Sequence, residues 1–289
     1  MIETKIAALV VVYNPDFGVV ERLRPLLPQL SLLCVVDNSV ESCQRLFDEA
    51  FGGEDKYRYI RNSNQGGIAG ALNRGMELSA SLGAAWVLTL DQDSEASPVM
   101  LEELLAVRDL LQERRVAIVT PVHYLVPGQL VDEGGRFEKV IRAMTSGNLL
   151  RVAAFQETGP FREELFIDSV DYDFCLRLQL NGYEIIRANR AILIHHLGKM
   201  EVNSLLGRPF HTSNHPPLRR YYITRNRLEV AFKYRKDFPV FFRWELKNFI
   251  KEFLGVLFFE KQKSKKLMMV FRGVRDFLLG RSGEVSFDK

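Results

Sequence analysis

The stretch Trp86-Val-Leu-Thr-Leu-Asp-Gln-Asp-Ser-Glu95, WVLTLDQDSE, begins as an apolar run and ends on two carboxylates one residue apart. A buried strand that closed on a single Asp would read as a turn or a helix cap. A pair at this spacing can aim two oxygen groups at one point beyond the strand end, where a divalent cation could sit. The competing reading makes Asp91 or Ser94 the cap of a helix opened by DSEASP.

Outward from this strand the chain alternates. Lys5–Tyr13, Leu32–Asp37, Tyr57–Arg61, Trp86–Leu90 and Val116–Val119 read as strands, with Val19–Leu30, Glu41–Phe51, Ile68–Leu82 and Pro98–Glu113 as helices between them. This βαβ rhythm predicts a mainly parallel sheet covered on both faces, with ligands gathered beyond the carboxyl ends of its strands. VVYN, VVDNS and LTLDQDS each place polar groups at such an end.

The middle is less regular. Gly128–Gly135 reads as a loop, Val140–Thr145 as a strand, Val152–Glu157 as a helix closed by Gly159-Pro160, and Ser169–Leu180 as a helix closed by Asn181-Gly182. Two strand-like runs, Tyr183–Ala188 and Ala191–Ile194, lead into HHLGK; Leu205–His215 reads as a loop, and the remainder as basic helices.

Composition bounds the function. The 289 residues are 47% hydrophobic and 26% charged, an ordinary globular balance. Cys34, Cys43 and Cys175 have no metal-ligand spacing, which predicts free thiols and a cytoplasmic setting. The N-terminal MIETK enters a strand pattern without the features of a signal peptide, and no apolar run reaches spanning length. The net charge of +3 hides an asymmetry: residues 205–289 carry 19 Lys and Arg against 8 Asp and Glu, +11, and the first 204 carry 20 against 28, −8. That split predicts a carboxylate-bearing body at 1–204, with halves at about 1–120 and 121–204, and a basic helical region at 205–289.

Further motifs carry candidate chemistry. Asp37 ends the second strand where a carboxylate could accept N–H or hydroxyl donors, although Asp-Asn-Ser is also a turn sequence. NSNQGGIAGALNRG sets Gly66-Gly67 before a helix of small residues, which would let a ligand or another backbone approach. In FIDSVDYDFCLRL, Asp168 and Asp171 lie three apart at a helix N-terminus whose dipole favours ionised carboxylates, suiting a general base; Asp173 can pair with Arg177 at i+4 on the surface. His195 and His196 alternate faces at a strand end. RRYYITRNR spaces Arg219, Arg220, Arg225 and Arg227 along a helix, either as a diphosphate site or as a solvated basic face.

These motifs in this order resemble glycosyltransferase family 2, nucleotide-sugar transferases of GT-A fold, and within it the bacterial rhamnosyltransferases of surface polysaccharide assembly. The resemblance runs from Ile6 to about Asn226, and LTLDQDS together with FIDSVDYDFCLRL carries most of it. It implies an α/β fold with a Rossmann-like sheet, and donor contacts from Val12, Tyr13, Asn14, Asp37, Asn64, Gly67, Asn73, Asp91 and Gln92. Arg219, Arg220, Tyr222 and Arg225 would close near the donor diphosphate, and Gly147 and Asn148 would meet the acceptor. Asp93, with His195 favoured over His196, would hold Mg²⁺ or Mn²⁺. Asp171 would be the catalytic base. The family's usual Glu-Asp pair is Val170-Asp171 here, which leaves Asp168 as a substitute acid or acceptor contact. The implied partners are a dTDP-sugar donor and a lipid-linked saccharide acceptor, with the enzyme peripheral at the inner face of the cytoplasmic membrane.

The tail agrees with a membrane setting. Phe242, Leu246, Phe249, Phe253 and Leu257 recur at helical spacing, and Lys261, Lys263, Lys265 and Lys266 would each add roughly 1 kcal/mol at an anionic surface. The alternative is that the stripe packs on the body or forms a homodimer through the C-terminal helices. Two rival functions compete: a haloacid-dehalogenase-like phosphatase with Asp91 as nucleophile, and a nucleic-acid-binding protein acting through the basic tail. The helical spacing of the aromatics argues against nucleic acid as a partner.

Overall fold

The structure, a computed structural model, describes residues 5–124, 135–195, 201–205 and 208–285. Its contacts divide the chain into two compact units, one of Met1–Glu163 with Asp171–His196, the other of Glu164–Val170 with Leu197–Lys289.

The first unit is built on a nine-stranded sheet. Strands β1 (Ile6–Val12), β2 (Leu32–Asp37), β3 (Tyr57–Arg61) and β4 (Trp86–Asp91) are parallel, in the order β3-β2-β1-β4. β1 and β2 are buried along their whole length, which is why they read as unbroken apolar runs rather than alternating ones. Between the strands lie α1 (Gly18–Leu23), α2 (Gln44–Phe51) and α3 (Gly67–Ser81). The predicted helix Val19–Leu30 stops at Leu23 and continues as a 3₁₀ turn, Arg24–Gln29, because Pro25 and Pro28 have no N–H to donate.

Beyond β4 come β5 (Ser94–Ala96), α4 (Met100–Leu110), β6 (Val116–Tyr124), β7 (Phe137–Val140), β8 (Leu149–Arg151), α5 (Val152–Thr158), α6 (Val170–Leu180) and β9 (Glu184–His195). β8 inserts antiparallel between β4 and β6, β6 runs parallel to β9, and β5 and β7 share the outer edge of β9. Four expectations are corrected. Ser94 caps no helix but opens β5, and α4 starts later, at Met100. The strand expected over Val140–Thr145 is Phe137–Val140, since that is the segment β9 pairs with. The two runs after Tyr183 are one strand, its pairing with β6 shifting register between Thr120 and Val122. The loop at Gly128–Gly135 lies, but for Gly135, outside the described residues.

The second unit opens with the hairpin β10 (Glu201–Leu205) and β11 (Arg208–Thr212), where a loop was expected. Helices α7 (Pro217–Lys233), α8 (Pro239–Phe258) and α9 (Lys263–Leu278) follow. The α8 stripe packs within this unit: Phe242 meets Phe232 edge-on at 5.2 Å, and Phe253 meets Phe271 at 6.3 Å. Among the described residues no helix is long and apolar enough to cross a membrane.

Candidate active site

Register brings the first unit's polar residues to one edge. Val11 pairs with Asp91 and Val12 with Asp37, so three neighbouring parallel strands end together. Gln92 locks this edge: its Oε1 accepts from Tyr13 N at 2.7 Å and its Nε2 donates to Tyr13 O at 3.2 Å. Its own carbonyl accepts from Arg22 Nε at 2.9 Å. The middle residue of Asp-Gln-Asp, expected to touch the donor, thus ties the tripeptide to the end of β1. Asn14 stands in the left-handed region at φ 45°, its N–H donating to Ser39 Oγ at 2.7 Å.

Asp91 is held from the other side. Its N–H donates to Ser146 Oγ at 2.9 Å, and that hydroxyl donates to Ser94 Oγ at 2.8 Å. His123 Nε2 contacts Ser146 O at 2.7 Å. Gly147 N donates to Thr89 O at 2.6 Å, and at φ 84° a Cβ on Gly147 would stand 2.6 Å from the Pro121 ring, so this turn requires glycine. Ser94, Ser146 and His123 were missed: Ser146 directly precedes the Gly147-Asn148 expected at the acceptor, while nothing local marks His123. The β5–β9 register aligns His195 with Ser94, one residue past Asp93. The His195 side chain and all of His196 lie outside the described residues.

Asp37 is fully buried and turned onto its own loop. Its carboxylate accepts from Ser39 N at 2.7 Å, Cys43 N at 3.0 Å and Tyr59 OH at 2.5 Å, with Arg61 at 2.9 Å. Burial alone would raise its pKa, but the hydrogen bonds from Ser39, Tyr59 and Cys43 outweigh it and hold the carboxyl below its ordinary value. Asn73 is likewise engaged: its Nδ2 donates to Phe161 O and Glu163 Oε1, both at 2.9 Å, and its Oδ1 accepts from Phe161 N at 2.8 Å. What comes close at the small-residue turn is this chain itself, since a Cβ on Gly66 would lie 2.5 Å from Glu163 Oε2. Gly67 N donates to Asn64 O at 3.0 Å.

Asp171 sits in the first turn of α6 and lines a small cavity, of about 10 Å³, with Thr89, Thr145 and Asn148. Asn148 is buried, and its Oδ1 has no hydrogen-bond partner among the described residues. Asp173 is no surface residue: fully buried, it bridges Arg177 at 2.8 Å and Arg162 at 3.3 Å.

Within the second unit Phe166, Asp168 and Ser169 all adopt positive φ, 63–64°, a costly run for residues with side chains. Asn226 Nδ2 donates to Leu165 O and Ile167 O, both at 2.6 Å, and Arg225 to Glu164 O at 3.3 Å and Gly283 O at 2.8 Å. Tyr222 stacks on Phe166 at 5.4 Å. The RRYYITRN motif therefore braces the strained segment upstream of Asp171. Arg220 is buried on Glu252, at 2.8 Å, and Glu260, with Ser213 at 3.2 Å. Neither sequence reading of these arginines describes Arg220 and Arg225, whose guanidinium groups are spent inside the unit. Arg219 is the exposed one, paired with Asp168 at 3.2 Å. Burial pushes the Asp168 pKa up, against the opposing pull of Arg219.

Asp91 and Asp93 are hard oxygen donors at a strand end, a donor type that suits Mg²⁺ or Mn²⁺ when substrate phosphates complete the shell. Among the described residues no group of three or more His, Cys, Asp or Glu could hold a metal by itself, so any ion here would need ligands from outside that set.

A mostly parallel sheet of this order, with carboxylates at the ends of its central strands, is the architecture of a glycosyltransferase. Residues 9–154 match glycosyl transferase family 2, and the chain belongs to that family. It is 27% identical over 246 residues, 77% of this chain and 78% of the other, to dTDP-rhamnosyl transferase RfbF of Shigella flexneri. In fold it is similar to TarS 1–349 of S. aureus in complex with UDP-GlcNAc: TM-score 0.64, 16% identity, 95% of this chain and 80% of that one. It is also similar to GalNAc-T7 with UDP, GalNAc and Mn²⁺: TM-score 0.59, 11% identity, 79% and 47%. Family membership decides for glycosyl transfer over the phosphatase reading.

Proposed function

We propose that this enzyme transfers L-rhamnose from dTDP-L-rhamnose, with inversion, to a hydroxyl of a growing surface polysaccharide such as O-antigen on a lipid carrier. The observation that carries it is the cavity shared by Asp171, Asn148 and Thr89, because Thr89 lies two residues before Asp91 on β4. Asp171 on α6 thus lines the same cavity as the strand that ends on Asp91. Asp171 takes the proton of the acceptor hydroxyl, and that oxygen attacks the anomeric carbon opposite the departing diphosphate. The buried Asn148 Oδ1 offers an acceptor for a substrate hydroxyl. Mg²⁺ or Mn²⁺ held by Asp93, with His195 as the further ligand the family resemblance implies, would neutralise charge on the leaving diphosphate. The relative named as a dTDP-rhamnosyl transferase supports the choice of sugar.

A position at an anionic membrane surface is supported by exposed apolar and basic residues of the second unit. Ile250 and Phe258 on α8 and Met268 and Phe271 on α9 are exposed, as are Lys261, Lys263 and Lys265. Lys266 does not contribute: it is buried on Glu260 at 2.8 Å. Calorimetric titration with dTDP, UDP, GDP and CMP, with and without Mn²⁺, tests the donor assignment. Metal-dependent dTDP binding that disappears in Asp93→Ala is the expected result. Preference for UDP or GDP overturns the rhamnosyl assignment and leaves the transferase.

A further inference from the structure

The first unit has a second cavity, of about 560 Å³, at the opposite end of the sheet. Its walls include Trp86, Arg108, Asp109, Arg114 and Arg151, at the starts of β4 and β6, the end of β8 and the last turns of α4. Trp86 and Arg151 are cross-strand neighbours in the β4–β8 register. Three arginines therefore line one cavity, and their partners differ. Arg114 is held by Glu184 at 2.5 Å. Arg108 pairs with Asp109 through Nε at 2.8 Å and Nη2 at 2.6 Å, which leaves Nη1 buried and without a partner. Arg151 lines the cavity with no hydrogen-bond or ion-pair partner among the described residues.

An arginine fork matches a tetrahedral oxyanion in shape and charge. We infer that this cavity is a second binding site, for a small phosphate-bearing ligand whose phosphate takes Arg151 while its organic part lies along Trp86. The site is separate from the transferase site: β4 carries Trp86 at one end and Asp91 at the other, five residues or roughly 17 Å away.

Trp86 also supplies the assay, because the chain has 2 tryptophans and the other, Trp244, lies on α8. Full-length protein labelled with ¹⁵N at the indoles is titrated with inorganic phosphate, pyrophosphate and AMP. The Trp86 resonance should move while Trp244 stays still. Arg151→Gln should weaken binding at least tenfold at unchanged Tm, since Arg151 has no partner to lose, and Asp93→Ala should leave it intact. AMP binding tighter than inorganic phosphate and pyrophosphate assigns the organic wall to a nucleoside and supports the inference; AMP binding no tighter than either removes the organic part and overturns it. A Trp86 signal unmoved by every probe at roughly 10 mM, weaker than any useful affinity, overturns the inference. So does an unchanged midpoint in Arg151→Gln.

Discussion

Two charged motifs stand out in this sequence, and the structure treats them in opposite ways. Asp91-Gln92-Asp93 has its backbone and its central amide tied down by Tyr13, Arg22 and Ser146, which fixes the position of two carboxylates at a strand end; Asp93 is exposed there. Arg219–Arg227 has its side chains consumed: Arg220 by Glu252 and Glu260, Arg227 by Glu245 at 3.0 Å, and Arg225 by backbone carbonyls. The fold holds the acidic motif through its backbone and central amide, and the basic motif through its charges.

The sharpest way to break this contrast is at the outward end. Asp171→Asn should lower kcat by roughly 10²–10⁴ with Tm and nucleotide binding unchanged, measured by a transfer assay beside calorimetry. Unchanged kcat would remove Asp171 from the chemistry. At the inward end, Arg220→Met removes one of two cationic partners from each of Glu252 and Glu260, which keep Arg227 and Lys266, and should cost about 1–3 kcal/mol in denaturant unfolding. If it abolished nucleotide binding at full stability instead, the diphosphate role would return to Arg220. Gln92→Ala removes both bonds to Tyr13 and should cost about 1–3 kcal/mol or raise the donor KM.

A pH titration separates the units. His215 in the second unit has its pKa lowered to about 4 by burial and by Arg219 and Arg220. Its folded form prefers the neutral ring, so the unfolded chain binds the extra proton first. Stability from this group is present above the ordinary value near 6.5 and is lost as pH falls toward 4. Thermal melts across that window should decline, and His215→Gln should flatten the decline. Smallest of all, Lys263→Gln and Lys265→Gln should each weaken binding to anionic vesicles by roughly 1 kcal/mol. Lys266→Gln should lower Tm instead.

Much of the first unit was legible because its code is local. Unbroken apolar runs separated by helical patterns mark β1 to β4, and the strand-end position of Asp37, Asp91 and Asp93 follows from those runs. Short elements were not legible: β5 and β8 are three residues each, too short for periodicity, and exist because β9 and β4 offer edges to pair with. The same holds for the β10–β11 hairpin.

The sequence by itself determined the parallel α/β class, the acidic strand end and the family, because hydrophobic period and motif order are written along the chain. Only the tertiary structure decided that Gln92 clamps Tyr13, that Asn73 holds Phe161, that Asp173 is buried and that Arg220 and Arg225 face inward. A charged or amide side chain carries the same donors and acceptors wherever it stands. Its role depends on which partner the fold brings within about 3 Å, and that partner lies 79 residues away for Gln92 and 88 for Asn73.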